Sequence, residues 1–221
     1  MPSFEKSLER KTKSHELTGE AKKIEEARRK EIRRQLNTSL AGVLEPAGFR
    51  MKGNLWSRAS SDSVHGVLKW DVIDVRRYSL AHQFIINAGK VENSKPDMPT
   101  SYKATKSLQT LATDAVRSKM LTPKEQQILN TKEIGYLSSG YDVEAAQKII
   151  GEKAQQVFLA QKEAVAEIDD ALDFVEPEAR KQNPESGDLP SVNEEKAAKK
   201  IAYITEKVDE LILPWLETQQ G

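Results

Sequence analysis

Cysteine is missing from all 221 positions of this chain. Its absence excludes disulfide bonds, thiolate metal sites and cysteine nucleophiles. No apolar run approaches the roughly 18 residues that a membrane-spanning helix needs, so we expect no membrane contact. The chain opens with Met1-Pro2-Ser3 and a charged segment instead of an apolar leader, which favours a cytoplasmic protein.

Aromatic residues are also few, at 6%, and hydrophobic residues make up 38% against 31% charged residues. This composition is too apolar for a disordered chain and favours long helices with wide solvated faces. Residues 1–119 hold 23 basic and 14 acidic residues, whereas residues 120–221 hold 11 and 20. The two halves therefore carry opposite net charges, which predicts a dipolar surface unless they pack face to face.

A helical pattern begins near Leu17 and continues to Pro46 and Gly48, which end it. Three β-strand signals follow, in residues 49–58 with a bend at 52–54, in residues 64–75 and in residues 80–89. The connections between them are short, which predicts an antiparallel meander of three strands, with a fourth strand left open.

Helical patterns resume after a proline-containing linker at residues 93–101. Thr122-Pro123-Lys124-Glu125 predicts a helix start, with Thr122 as N-cap and Glu125 in the capping-box position. Residues 142–180 fit either one long helix or two, and a last helix from about residue 193 should end at Pro214.

These patterns predict an α+β fold: a long N-terminal helix, a three-stranded antiparallel meander, a helical insertion and a C-terminal helix. We expect a flexible segment at 1–20, an α+β core formed by 21–92 with 193–219, and a helical insertion at 101–180. The shared core should contain Leu40, Leu44, Trp70, Phe84 and Ile86.

Two motifs stand out in the chain. The first is Pro46-Ala47-Gly48-Phe49, followed by Lys52-Gly53-Asn54 and by Trp56-Ser57-Arg58; the second is the closing Leu213-Pro214-Trp215-Leu216. They resemble motifs of a small bacterial domain family of unknown function. The resemblance covers residues 32–90 and 200–219, and the helical stretch between them is larger than the family usually has. The family brings no catalytic residues, but some members resemble immunity proteins that neutralise toxins of competing bacteria. The resemblance therefore implies a protein-binding role.

Catalytic and metal-binding patterns have little support. None of His15, His65 and His82 has a second histidine at i+2 or i+4, so no metal site and no cofactor are predicted. Glycine-rich phosphate loops, serine-hydrolase elbows and zinc-protease helices are absent from the sequence.

A helix followed by three strands also occurs in metal-dependent nucleases, which need an acidic residue on one strand and (Asp/Glu)-x-Lys on the next. Asp71 and Asp74-Val75-Arg76 come nearest to this pattern. Arginine stays charged and is a poor substitute where a proton must move. On a regular strand the two aspartates would also face opposite sides, so a metal-dependent hydrolase is the weakest hypothesis.

Two charged surfaces remain as candidate sites. A basic surface on the N-terminal helix would suit a nucleic-acid backbone, although interleaved glutamates cancel much of its field. Its residues are Lys22, Lys23, Arg29, Lys30, Arg33 and Arg34. An acidic face in the second half would suit a basic protein, because its carboxylates recur at helical spacing. Its residues are Glu163, Glu167, Asp170 and Asp173.

The preferred hypothesis is a non-enzymatic protein-binding module with a toxin-immunity or defence role, whose partner is another protein. A nucleic-acid-associated protein that uses the basic N-terminal half is the alternative. The long exposed helices also leave pairing of two copies of the chain open.

Overall fold

A computed structural model describes residues 19–60, 68–77, 84–93, 106–134, 136–137, 140–174 and 194–218. The helices are α1 (Gly19–Leu44), α2 (Leu108–Met120), α3 (Pro123–Thr131), α4 (Gly140–Ile150), α5 (Lys153–Leu172), α6 (Glu194–Lys207) and α7 (Leu213–Thr218). The strands are β1 (Arg50–Lys52), β2 (Leu55–Ala59), β3 (Leu68–Arg77), β4 (Phe84–Asn93) and β5 (Lys106–Ser107). The predicted α+β class is confirmed, and the sheet is antiparallel with the order β1-β2-β3-β4-β5.

The sheet has five strands where the sequence predicted three. Residues 49–58 form a hairpin and not one bent strand, because Gly53 adopts a φ of 69° and turns the chain back after Lys52. Glycine reaches this left-handed region at no steric cost, which suits the first position of a two-residue hairpin turn. The fifth strand pairs Lys106 and Ser107 with the middle of β4, and Ser107 is also the N-cap of α2.

Helix α1 lies against the sheet through four apolar residues that recur at every fourth position. Ile32, Leu36, Leu40 and Leu44 are all buried. They join the main core, which also takes in apolar residues of β2, β3, β4, α2, the end of α5, α6 and α7. The helix extends beyond this row to Gly19, and the described side chains of its first half, among them Lys23, Glu26 and Lys30, are exposed.

Trp70 does not join the core that was predicted for it. Phe84, Ile86, Ile73 and Val75 face the helices, whereas Trp70 packs on the opposite face of the sheet with Leu55 and Val72. Successive side chains of a strand alternate between faces, so Trp70 and Ile73 cannot lie on the same side. The prediction was wrong because β3 is apolar on both faces, which removes the alternation that marks the core side.

A second, smaller core lies among α3, α4 and the first half of α5, together with Leu121 and Leu137. Helices α4 and α5 are separate, because Gly151 takes a φ of 62° between them. Helix α5 passes from the smaller core to the main one, where Phe174 meets the Phe84 ring edge-on at 5.6 Å. Thr122 caps α3 in the predicted capping box with Glu125.

The C-terminal helix continues past Pro214, where the sequence predicted its end. Residues Val208–Ile212 form a π-helical turn, in which the Leu213 N–H donates to the Val208 carbonyl. Proline lacks an N–H and its ring collides with the carbonyl four residues earlier in a regular α-helix. We attribute the wider turn to Pro214, since it relieves this collision and lets α7 continue with Leu213 and Leu216 buried.

Several predicted features lie outside the described residues, among them the three histidines and the segment 1–18. Within the described ranges, no helix is long and apolar enough to cross a membrane.

Leu40→Ala should lower the free energy of unfolding by about 2–5 kcal/mol, because it leaves a cavity under α1. Chemical denaturation followed by circular dichroism measures the loss. Ile128→Ala on α3 is the control, since Ile128 is 38% exposed and its truncation should cost much less. Equal losses for the two variants would contradict the burial of the α1 row.

Candidate interaction surfaces and a buried charge row

The acidic face predicted from the sequence lies along α5 and meets α6. Glu163, Glu167 and Asp170 line a groove of about 530 Å³ between the two helices, opposite Lys200 and Tyr203. Asp173 is the C-cap residue of α5 and is half-buried. Helical spacing thus brings three of the four predicted residues together, and the fourth lies one turn beyond them.

Part of the acidic face holds α6 in place. The Lys200 ammonium lies 3.1 Å from the Asp170 carboxylate and also donates to the backbone carbonyls of Asp170 and Asp173. A cation at the C-terminal end of a helix satisfies carbonyls that have no partner within the helix and complements its dipole. Asp170 and Asp173 therefore contribute to the docking of α6, while Glu163 is exposed and makes no ion pair with any described residue.

The remaining contact across this groove joins Tyr203 to Glu167. The Tyr203 hydroxyl donates to Oε2 of Glu167 over 3.0 Å. Burial raises the pKa of Tyr203 to about 12, and the hydrogen bond to the Glu167 carboxylate adds to this effect. The neutral phenol is therefore the form that the fold favours.

The structure describes the side chains of four of the six basic residues predicted on α1. Lys23 and Lys30 are exposed, and Arg33 is half-buried. The side chains of Lys22 and Arg29 lie outside the described part of the chain.

Arg34, the last of the predicted basic residues, is bound by Glu31 through two of its guanidinium nitrogens, at 2.9 and 2.6 Å. The hydrogen bonds from Arg34, followed by that from Gln35, hold the pKa of Glu31 at about 2. The Arg34 charge is thus neutralised within the helix.

A row of three charged residues crosses the helix-facing side of the sheet. Arg58, Asp71 and Lys90 are direct neighbours on β2, β3 and β4. Asp71 is 0% exposed, and its two carboxylate oxygens lie 2.9 Å from Arg58 Nε and 3.5 Å from Lys90 Nζ. A buried carboxylate needs such partners, because desolvation of an unpaired charge costs several kcal/mol.

Arg58 links this row to the turn between α1 and β1. Its Nη1 donates to the Ala47 carbonyl over 3.0 Å, and its guanidinium lies 4.8 Å from the centre of the Phe49 ring. Gly48 takes a φ of 85° in this turn, a conformation that favours glycine. Residues of the Pro-x-Gly-Phe and aromatic-x-Arg motifs are therefore in contact. These contacts attach the end of α1 to the sheet and have a structural role.

Asp71 and Asp74 do not share a face of β3. Asp71 lies on the side of Ile73 and Val75, whereas Asp74 lies on the side of Trp70 and pairs with Arg76. One ion cannot bridge two carboxylates on opposite sides of a strand. Among the described residues, no group of three His, Asp or Glu side chains is placed to hold a metal ion.

An open groove of about 810 Å³ lies where α1 passes over the edge of the sheet. Its lining includes Arg34 and Thr38 of α1, Phe49, Arg50 and Met51 around the start of β1, and Trp56 of β2. The Trp56 side chain is buried, and its indole Nε1–H finds no hydrogen-bond acceptor among the described residues. Sequence reasoning missed this groove, although the Gly53-Asn54 dipeptide is a hairpin signal that would have placed β1 at the sheet edge.

No family model, no curated protein and no solved structure matches this chain.

Asp71→Asn should lower the free energy of unfolding by about 3–5 kcal/mol, because it leaves the Arg58 and Lys90 charges without their buried partner. Denaturant unfolding measures the change. Asp209→Asn provides the same chemical change at an exposed position and should cost little. If both variants unfold alike, the charge row is not holding the sheet.

The raised pKa of Tyr203 predicts a loss of stability at high pH. Because the folded-state pKa lies above the ordinary 10.0, the stabilisation is complete below pH 10.0 and is lost as the pH rises through about 12. Ultraviolet titration of tyrosinate should show a late-titrating component in the native chain that Tyr203→Phe lacks. Circular dichroism over the same pH range checks that the fold persists. A difference titration centred on pH 10.0 would mean that neither burial nor Glu167 holds this proton.

Proposed function

We propose that this chain is a non-enzymatic protein-binding module whose working surface is the acidic face of α5. The observation that supports this most directly is Leu159, a large apolar side chain that is 53% exposed. It lies four residues before Glu163, and Ala166 and Asp170 follow on the same stripe of the helix. A partner with an apolar pocket and a basic rim would complement an exposed apolar side chain that lies beside Glu163.

The charge of this surface selects the partner. Glu163 makes no ion pair with any described residue, and Glu167 accepts a hydrogen bond from the Tyr203 hydroxyl and not from a cation. The half of the chain that contains α5 has an excess of acidic residues, 20 against 11 basic ones. A partner with a basic patch beside an apolar pocket would gain from long-range attraction and from burial of Leu159.

The family resemblance points to a specific biological role for such a binding module. Proteins that neutralise toxins of competing bacteria act by covering a surface of the toxin, and a toxin that cuts nucleic acid must itself carry a basic surface. An acidic, apolar-anchored helix face suits such a target. We therefore propose toxin immunity, or a related defence function, as the specific role.

The two other functions are less well supported by the geometry. On the basic surface of α1, the Arg34 guanidinium is paired with the Glu31 carboxylate. This pairing weakens the attraction of the surface for a nucleic-acid backbone. A metal-dependent hydrolase would need carboxylates on one face of the sheet, and Asp71 and Asp74 lie on opposite faces.

Glu163→Lys and Leu159→Asp should each reduce partner binding by about tenfold or more, because the first repels a basic surface and the second removes the apolar anchor. The measurement is a pull-down with the tagged full chain from a lysate of the organism that encodes it, with and without nuclease, read by mass spectrometry. A single protein retained by the native chain after nuclease treatment, and lost with both variants, is the expected result.

Glu144→Lys on α4 is the matched control, since it makes the same charge change at another exposed glutamate and should leave the recovery unchanged. The proposal is wrong if the same partner binds Glu163→Lys and Leu159→Asp as well as it binds the native chain. Recovery that collapses on nuclease treatment would instead support the basic surface of α1.

A further inference from the structure

The edge of the sheet at β1 presents backbone groups that can pair with another strand. Within the described part of the chain, β1 pairs on one side only, with β2. Lys52 and Leu55 close the two-residue hairpin and therefore exchange backbone hydrogen bonds, as do Arg50 and Ser57 two residues further on. The N–H and C=O of Met51, which lies between these pairs, consequently point away from β2 and are available to an added strand.

The groove beside this edge provides a place for a side chain of the added strand. Met51 and Trp56 are paired across β1 and β2 on the helix-facing side. Met51 is nevertheless 46% exposed, because α1 does not cover the sheet at this edge. A strand beside β1 would direct alternate side chains into the space between α1 and the sheet, over Met51, Phe49 and Trp56.

Trp56 supplies the observation that points to a ligand. Its side chain is 1% exposed, lines the groove, and has an indole N–H without an acceptor among the described residues. A buried donor that stays unpaired costs free energy, so native proteins satisfy nearly all such groups. The N–H itself has almost no accessible surface, so an acceptor in the groove could reach it only if the Trp56 side chain shifted when a ligand entered.

The charges of the β1 side chains indicate what kind of segment would bind at this edge. Two of the three β1 residues, Arg50 and Lys52, are basic and exposed, and neither makes an ion pair with a described residue. Cations on an edge strand oppose pairing with a second copy of the same edge, since antiparallel copies would bring like charges together. The same cations attract a strand that carries carboxylates, whereas Glu45 is the sole acidic residue among the described residues that line the groove.

We propose that the β1 edge binds an extended acidic segment of a partner protein as an additional β-strand. Main-chain hydrogen bonds to Met51 give the segment its register, and a carboxylate side chain of the segment pairs with Arg50. A second side chain, one with a hydrogen-bond acceptor, enters the groove beside Trp56. This site lies on the basic half of the chain and does not depend on the acidic face of α5.

The test is selection of a displayed library of random linear peptides on the full chain, followed by affinity measurements on the enriched peptides by fluorescence anisotropy. Enriched sequences should contain Asp or Glu among β-forming residues. Met51→Pro removes the outward N–H and should abolish binding, while Met51→Ala keeps that N–H and should retain most of it. Arg50→Glu should weaken binding about tenfold or more.

Thermal melts of the three variants verify that the hairpin stays folded, because proline is tolerated on an edge strand. Peptides that bind Met51→Pro as well as Met51→Ala would overturn strand addition, and so would a selection that enriches nothing. Enrichment of basic peptides would overturn the charge argument.

Analytical ultracentrifugation tests for a second copy at the same edge. If the native chain dimerises and Met51→Pro does not, the added strand is a second copy and not an acidic segment. Glu163→Lys should bind the same peptides as the native chain, which separates this site from the acidic face.

Discussion

A single carboxylate in the middle of the sheet constrains much of the architecture around it. Asp71 is fully buried among apolar residues, so the fold has to supply cations on both sides of it, and β2 and β4 do so with Arg58 and Lys90. Because Arg58 turns toward Asp71, its guanidinium comes to lie over Phe49 and within reach of the Ala47 carbonyl. The turn that joins α1 to β1 is thereby fixed to the sheet. The position of α1 over the core, and the groove at its far side, follow from that attachment.

Local patterns in the sequence were sufficient for the start of several helices, but not for the continuation past Pro214 or the division at Gly151. The four-residue recurrence of leucine in α1 and the Thr122 capping box both predicted what the structure shows, since each depends on residues within one or two turns. The strands were predicted in type but not in number, because the role of Gly53 as a hairpin residue depends on its φ angle. The face of Trp70 was misassigned because an apolar strand buried on both sides has no alternation to read.

Candidate sites were predictable to the extent that their members lie on one element. Helical spacing identified Glu163, Glu167 and Asp170 as neighbours, and all three line one groove. The contacts of Tyr203 and Lys200 with that groove join residues 30 or more positions apart, and no local pattern predicts them. The pairing of Asp71 with Lys90 likewise depends on strand register, which the sequence did not specify. The acidic face of α5 is therefore recognisable from local sequence spacing, whereas the β1 edge depends on strand pairing between elements.

Helix α5 couples the opening motions of the two hydrophobic cores. It crosses both hydrophobic cores, and at its midpoint the buried Gln161 accepts from the Leu137 N–H at 3.1 Å and donates to the Thr113 carbonyl at 3.3 Å. Opening of the smaller core alone would break both hydrogen bonds and leave a buried amide without partners. The cores should consequently exchange their amide hydrogens as one cooperative unit, even though their buried residues form two separate clusters. A partner that binds along α5 would then slow hydrogen exchange in both cores, including α3 and α4, which it never touches.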